Sequence, residues 1–407
     1  MGSPPDATPT PAGDLFASAT AATPLATLIG REIAEHGPLT FAEFMSRALY
    51  DENLGYYRSG RATVGREGDF VTSPEIHPLF GAAVAATAAN VWEALGEPAE
   101  FTIVDVGPGT GALIADTTAW ADTQNPEFGR ALRVILIEPS GLAAERQRPR
   151  LRHLGDRATW TSTIAECASM TGLIVANELL DAQPVHRLRW SEPEQSWVEL
   201  YVGLDAAGGF GDLPGPPSDE SLSVPLSRIK PADGQVVEVC PSLPALVAGL
   251  ARPLEAGLLL LFDYGYPRER LYASWRKTGT LMTFHRHTPG EEPYARVGEQ
   301  DLTCHIDLDA TRDAALGAGL QADPILSQGE WLRRAGAASP APVASGGQGA
   351  EMETYLARRR AIETLSDPAG LGRIQVMSFR RGLEPLQPVA GPGSSAREAR
   401  TPETNNE

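Results

Sequence analysis

The stretch from Phe101 to Leu113, FTIVDVGPGTGAL, carries an apolar run through Asp105 into Gly107, Gly109 and Gly111. Phe101, Ile103, Val104 and Val106 have the apolar, β-branched character of a strand buried inside a parallel sheet. Glycines at the end of such a strand turn the chain and let its backbone approach a ligand that a Cβ would keep away. Ala112, Leu113 and Ile114 then begin a helix whose N-terminus faces that ligand. The segment reads as a loop for an adenosine-containing cofactor. An ordinary strand-to-helix turn would use the same glycines, so the neighbouring residues decide.

Asp105 is the first of those neighbours. A fixed negative charge just before the glycines is unfavourable beside a pyrophosphate and favourable beside a cation. S-adenosylmethionine carries an ammonium and a sulfonium and has no phosphate, so Asp105 suits it better than a dinucleotide. The second neighbour is Glu138, which closes another apolar run, Val134 to Ile137. A carboxylate at such a strand end accepts hydrogen bonds from both ribose hydroxyls. NAD-binding folds use the same device, and Glu138 lies farther beyond Gly107 than the roughly 20 positions usual there, with NPEFGR read as a loop that absorbs the excess. An NAD-dependent oxidoreductase is therefore the alternative on these residues alone.

The 407 residues suffice for a large α/β domain with insertions or for two domains. With 34 Lys+Arg against 52 Asp+Glu the net charge is -18, which disfavours nonspecific binding to nucleic acid or to anionic membranes and is compatible with a basic protein or a small molecule. Cys167, Cys240 and Cys304 are widely spaced and follow no metal pattern, so they read as reduced thiols and point to the cytoplasm. No apolar run is long enough to span a bilayer.

Residues 1–24 and 385–407, rich in Pro, Gly, Ser or acidic residues, read as disordered tails. Residues 25–96 read as a helical segment. Leu25, Leu28, Ile29 and Ile33 share a face before Gly37-Pro38, Thr40 and Glu43 have capping-box spacing, and Ser73-Pro74 starts a helix that runs to about Leu95. Residues 97–384 read as the core. Its strand signals alternate with helices, continuing through Gly172–Ala176 and Gly257–Phe262, the pattern of a doubly wound, mostly parallel Rossmann-like α/β sheet. An antiparallel insertion at about 185–235 holds the hairpin Val185–Trp190 and Trp197–Val202, followed by a loop from Asp205 to Pro217. Ligands of such sheets sit at the carboxyl ends of the strands, which here carry Asn177, Glu178 and Asp181, and Asp263 with Tyr264.

Five segments occur in the order seen in one family: GREGDFVTSPEIHPLFG, VDVGPGTGAL, ANELLDAQPVHRL, FDYGY and GEQDLTCHIDL. On these motifs the chain, from about Leu25 to Arg381, resembles the MidA-like class I methyltransferases, a family that includes a mitochondrial complex I assembly factor methylating a protein arginine. The resemblance implies a Rossmann-like fold, S-adenosylmethionine as cofactor and transfer of a methyl group. It implies a protein substrate, on that precedent a respiratory-complex subunit, or a small molecule, and it leaves a homodimer open. It also places the segment holding Asp69, Phe70, Thr72 and Pro74 beside the cofactor and the substrate. The chain departs from the family at His77-Pro78, where Ser-Gln is usual, and at Thr110, where a basic residue is common.

Cofactor contacts are accordingly expected from Thr72, Pro74, Asp105, Gly107, Gly109, Gly111, Glu138 and Asn177. Asp69, Glu178 and Asp181 are the catalytic candidates, and Phe70, Asp263 and His287 the pocket-lining ones. Asp69 has a plainer reading as a turn-capping carboxylate. Glu178 and Asp181 have one as an acid pair at a helix N-terminus, against the sharper reading that they orient a guanidinium or act as a base. His285 and His287 alternate as in a strand but have no third ligand, so no metal is expected. A non-catalytic assembly factor that keeps the fold is the remaining alternative.

Overall fold

The computed structural model describes residues 23–60, 71–337 and 350–386. Asp69 and Phe70 lie outside these residues, as do the expected tails except for 23–24 and 385–386. Two compact units form. One is drawn from Thr63–Gln183, Ser242–Leu271 and His305–Glu407, the other from Met1–Ala62, Pro184–Pro241 and Tyr272–Cys304.

The first unit is built on an eight-stranded sheet. Its strands are β1 (Phe101–Val106), β2 (Leu132–Ile137), β3 (Ala158–Thr161), β4 (Met170–Asn177), β5 (Leu254–Asp263), β6 (Gln321–Ala322), β7 (Leu326–Ser327) and β8 (Gln375–Arg381). They lie in the order β6-β8-β5-β4-β1-β2-β3, with β7 also on β8. Strands β5, β4, β1, β2 and β3 are mutually parallel, and β8 runs antiparallel to β5. The chain lays down β1, β2 and β3 towards one edge and returns to place β4 on the other side of β1. The switch point of this doubly wound sheet therefore falls between β1 and β4, the place where such sheets bind ligands.

All six residues of β1 are buried, as a central parallel strand covered on both faces requires. The helix Leu79–Ala94 packs on β4, β5 and the helix Ala112–Gln124. Its Phe80 meets Phe262 edge-on at 5.1 Å, and Trp331 closes on Phe262 at 4.8 Å. Where β4 and β5 run closest, Gly257 (φ +136°) faces Gly172, and a Cβ on Gly257 would lie 1.8 Å from the Gly172 carbonyl oxygen. Among the described residues no helix is long and apolar enough to cross a membrane.

The second unit joins the helices Pro24–His36 and Phe41–Tyr50 to a five-stranded sheet and a separate three-stranded one. The capping box Thr40/Glu43 is formed. Leu25, Ile29 and Ile33 are buried, but Leu28 is 45% exposed, because it lies one turn-step off the buried stripe. The hairpin His186–Ser191 and Ser196–Leu204 is present, paired through Trp190 and Trp197. The segment expected as a loop after it holds a third strand, Phe210–Gly215, which pairs along Glu199–Leu204. Arg187 binds Asp212 at 2.6 Å, lies over the Phe41 ring and shares Asp212 with the Tyr294 hydroxyl.

Three other expectations are corrected by local geometry. NPEFGR is a short helix, Pro126–Ala131, capped by the Asn125 side chain on the Phe128 N–H. The helix expected from Ser73 to Leu95 is two, Ser73–Ile76 and Leu79–Ala94, with Thr72 at the first cap and extended backbone at His77, the residue before Pro78. His287 is not in a strand: Arg286 and His287, at φ +49° and +60°, form the two-residue turn between Met282–His285 and Thr288–Gly290.

Candidate functional site

At the carboxyl end of β1, Asp105 is 2% exposed, and its Oδ2 has no hydrogen-bond partner among the described residues. Burial, and then the charge of Glu138, push its carboxyl up to about 7. Gly107, Gly109 and Gly111 follow at φ +72°, +55° and +78°. Gly111 is the left-handed cap of the helix Ala112–Gln124, and no side chain caps that helix end. A Cβ on Gly109 would meet nothing within 4 Å, so the loop leaves open space on that side. These features form a concave backbone surface beside a buried acceptor, which suits a cationic ligand.

Glu138 stands directly beyond β2. Its Oε1 accepts the Ser140 N–H at 2.8 Å and its Oε2 accepts the Gln147 amide at 3.1 Å. Gln147 lies on the helix Gly141–Leu151 and is fully buried. Its amide also donates to the Gly109 carbonyl at 2.9 Å, while its Oε1 accepts the Trp160 indole N–H at 2.9 Å. The sequence reading missed this residue inside the charged stretch AERQRPR. Its signal is position: Ala144, Gln147 and Leu151 form the buried stripe of the helix, so a polar residue at 147 needs partners.

Thr72 and Pro74 belong to the short helix Ser73–Ile76 and its cap, which is tied down from two sides. Buried Ser73 donates to Gln328 at 2.8 Å, and Gln328 donates to the Leu365 carbonyl. Glu75 accepts the Thr110 hydroxyl, and Arg150, 3.7 Å from Glu75, donates to the same Thr110 oxygen. Arg150 thus sets a cation beside Thr110. His77 Nδ1 accepts the Leu79 N–H at 3.0 Å, the task a serine performs at a helix start, and burial followed by the Arg358 charge lowers its pKa.

On the other side of the switch point, Asn177 ends β4. Its Oδ1 is buried without a partner among the described residues, and its amide donates to Glu178 at 3.0 Å. Glu178 has left-handed backbone, φ +50°, strain that a non-glycine residue keeps only when its surroundings impose it. No helix follows. Residues 178–183 form a turn, so the reading of Glu178 and Asp181 as a helix N-terminal pair is withdrawn. Asp263, fully buried, holds that turn: Oδ2 accepts the Leu180 N–H at 2.7 Å and Oδ1 the Tyr264 N–H at 2.8 Å. Burial pushes its carboxyl up to about 7, opposed by backbone donors at Leu180, Tyr264, Asp181 and Leu179. Expected as pocket lining, Asp263 is a buttress. Burial, and then the charges of Glu178 and Asp181, raise the hydroxyl pKa of Tyr264.

Asp105, the glycine loop, Glu138, Asn177, Glu178, Asp181 and the Thr72–Pro74 segment thus belong to one unit. His287 belongs to the other, exposed at its hairpin turn. Among the described residues no three His, Cys, Asp or Glu side chains are grouped to hold a metal ion.

The residues fit S-adenosylmethionine. Two buried oxygens without partners among the described residues, Asp105 Oδ2 and Asn177 Oδ1, suit an ammonium, the Glu138 carboxylate suits ribose hydroxyls, and among the described residues Gly109 leaves room for close backbone approach. A proton-linkage prediction follows. In the free chain Asp105 binds its proton up to about pH 7, so its contribution to stability is present at low pH and declines as pH rises from its unfolded value near 4 through about 7. A cationic ligand favours the ionised form, so binding S-adenosylhomocysteine near pH 6 is expected to release a proton and to tighten as pH rises through about 7. Calorimetry in buffers of different ionisation enthalpy measures this. Asp105→Asn should remove it, and a buffer-independent heat in the wild type would contradict it.

A family profile described as "Putative S-adenosyl-L-methionine-dependent methyltransferase" matches residues 83–325, more than half of the chain. Among curated proteins, the chain is 27% identical over 383 residues to the "Protein arginine methyltransferase NDUFAF7 homolog, mitochondrial" of Drosophila melanogaster, covering 86% of this chain and 82% of that protein. It is 27% identical over 345 residues to "Protein arginine methyltransferase NDUFAF7, mitochondrial" of Homo sapiens, covering 77% and 74%. Among solved structures, a Burkholderia thailandensis protein crystallised with S-adenosyl-homocysteine is 29% identical, with a TM-score of 0.81 over 90% of this chain and 94% of that one. The dinucleotide alternative gives way to the adenosylmethionine cofactor that Asp105 favours. The chain belongs to this family of S-adenosyl-L-methionine-dependent methyltransferases.

Proposed function

We propose that the enzyme methylates an arginine side chain of a protein, with Glu178 and Asp181 receiving the guanidinium. The observation that carries this reading is that two carboxylates, Glu178 and Asp181, directly follow the carboxyl end of β4, which pairs in parallel with β5 next to the switch point. Carboxylates accept the forked N–H groups of a guanidinium in two parallel hydrogen bonds, whereas the Tyr264 ring is already faced by Arg373 at 5.4 Å and stacked with His305. Bound S-adenosylmethionine supplies an electrophilic methyl carbon on a sulfonium. The chain's own contribution is to hold the nitrogen in line and to exclude water, effects that account for much of the rate in such displacements. The attacking nitrogen sheds a proton as it gains the methyl group, and a carboxylate at Glu178 or Asp181 accepts it. The names of the relatives support arginine as acceptor.

The test compares the proteome of a deletion strain with wild type by mass spectrometry, looking for methylarginine that disappears, with respiratory-complex subunits as the first candidates. Loss of methyllysine or of a methylated metabolite instead would overturn the assignment. Purified Glu178→Gln and Asp181→Asn variants are expected to lose about 10²- to 10⁴-fold in kcat while binding S-adenosylhomocysteine as the wild type does.

A further inference from the structure

We propose that Gln147 is the positioning residue that sets cofactor affinity, by holding the Glu138 carboxylate ready for the ribose hydroxyls. This rests on the assignment of Glu138 to the ribose. The orientation of the Gln147 amide follows from its partners. The Trp160 indole nitrogen can only donate, so the group it meets at 2.9 Å is Oε1, and the NH₂ faces two acceptors, the Gly109 carbonyl and Glu138 Oε2. Both amide hydrogens are therefore committed, one to each wall of the cofactor site.

The effect on Glu138 is specific. The Ser140 N–H binds Oε1 and the Gln147 amide binds Oε2, so the carboxylate plane is held from both ends. Fixing the acceptor before the ligand arrives removes an ordering cost from binding. No other residue type does this at position 147. A glutamate would set a second carboxylate against Glu138 and the Gly109 carbonyl, and an apolar side chain would leave the Trp160 N–H and the Gly109 carbonyl without their partner.

The test uses the full-length enzyme, with calorimetric titration of S-adenosylhomocysteine and of its 2′,3′-dideoxy analogue. Gln147→Met keeps the volume and removes the amide. It is expected to raise Kd for S-adenosylhomocysteine, and KM for S-adenosylmethionine, about 10- to 100-fold, the range seen when a supporting partner of a ligand is removed, with kcat at saturation retained. With the dideoxy analogue the loss in Gln147→Met should be clearly smaller, limited to what the Gly109 contact contributes, because there is no ribose hydroxyl for Glu138 to accept. Trp160→Phe, a milder change that frees the amide from one side, should move Kd in the same direction without unfolding the chain. If Gln147→Met and Trp160→Phe bind S-adenosylhomocysteine as the wild type does, or lose affinity equally for both ligands, Gln147 does not act through Glu138. If the wild type itself does not distinguish the two ligands, the Glu138 assignment fails, and the proposal with it.

Discussion

Gly109→Val is expected to abolish cofactor binding while leaving a folded protein. Calorimetry with S-adenosylhomocysteine should show no heat above dilution, a loss of at least about 100-fold, or roughly 2.7 kcal/mol. Gly109 sits at φ +55°, where a left-handed backbone costs an L-residue about 1–2 kcal/mol, and a β-branched residue is the least tolerant. Beyond that strain, an added Cβ meets no atom of the described residues within 4 Å. The open space beside Gly109 is where the backbone must approach the ligand, so valine occupies the ligand's volume instead of the protein's. Gly107 is a useful contrast. A Cβ there would lie 3.2 Å from Leu179 Cδ1, so a change at that position reports on packing as well as on binding. Cooperative thermal unfolding of Gly109→Val together with binding within about threefold of wild type would show that the glycine serves only the turn.

Asp263→Ala should be the most damaging single change to the site that leaves the cofactor loop intact. The two carboxylate oxygens accept the N–H groups of Leu180 and Tyr264 inside the protein. Removing them leaves buried donors unsatisfied at about 1–3 kcal/mol each, so a loss of about 2–5 kcal/mol is expected from the urea midpoint. The turn holding Glu178 and Asp181 would lose its anchor, and displacement by about 1 Å costs on the order of 10²-fold in rate. Asp263→Asn should not rescue, because its NH₂ would face a backbone N–H. A pH signature accompanies the loss. The Asp263 carboxyl is pushed up to about 7, so its wild-type contribution to stability is largest at low pH and declines as pH rises through about 7. The Asp263→Ala variant should show a flatter stability profile between pH 4 and 8. Wild-type stability and turnover in Asp263→Ala would return the residue to a pocket-lining role.

How much was legible varies by residue, and the reasons are physical. FTIVDVGPGTGAL was readable because a buried parallel strand needs continuous apolar residues and a tight turn needs glycine, both local demands. Asp105 could be singled out from the sequence because charge type beside a glycine loop discriminates between ligands without knowledge of anything distant. The role of Asp263 was not readable. Its partner on Oδ2 is the Leu180 N–H of a turn more than eighty residues earlier in the chain, brought to it by the parallel pairing of β4 and β5. Gln147 was hidden for a related reason: the Gly109 carbonyl and the Trp160 indole reach it only once β1, β2 and β3 are side by side. The break at His77-Pro78 was legible in principle, since the residue before a proline avoids helical backbone, but the apolar run beyond it masked the boundary.

By itself the sequence pointed to a doubly wound α/β core and, through its ordered motifs, to a methyltransferase and its cofactor class, and it singled out Asp105 and Glu138 as candidate cofactor contacts. These follow from periodicity, glycine placement and charge, which act over a few residues, and from ordered motifs. Only the tertiary structure decided which polar groups are spent on the protein's own donors. Among the described residues Asp105 and Asn177 each keep a buried oxygen without a partner, whereas Asp263 spends its carboxylate on backbone donors. That difference depends on which donors the folded strands bring within hydrogen-bonding distance, and no local pattern in the chain encodes it.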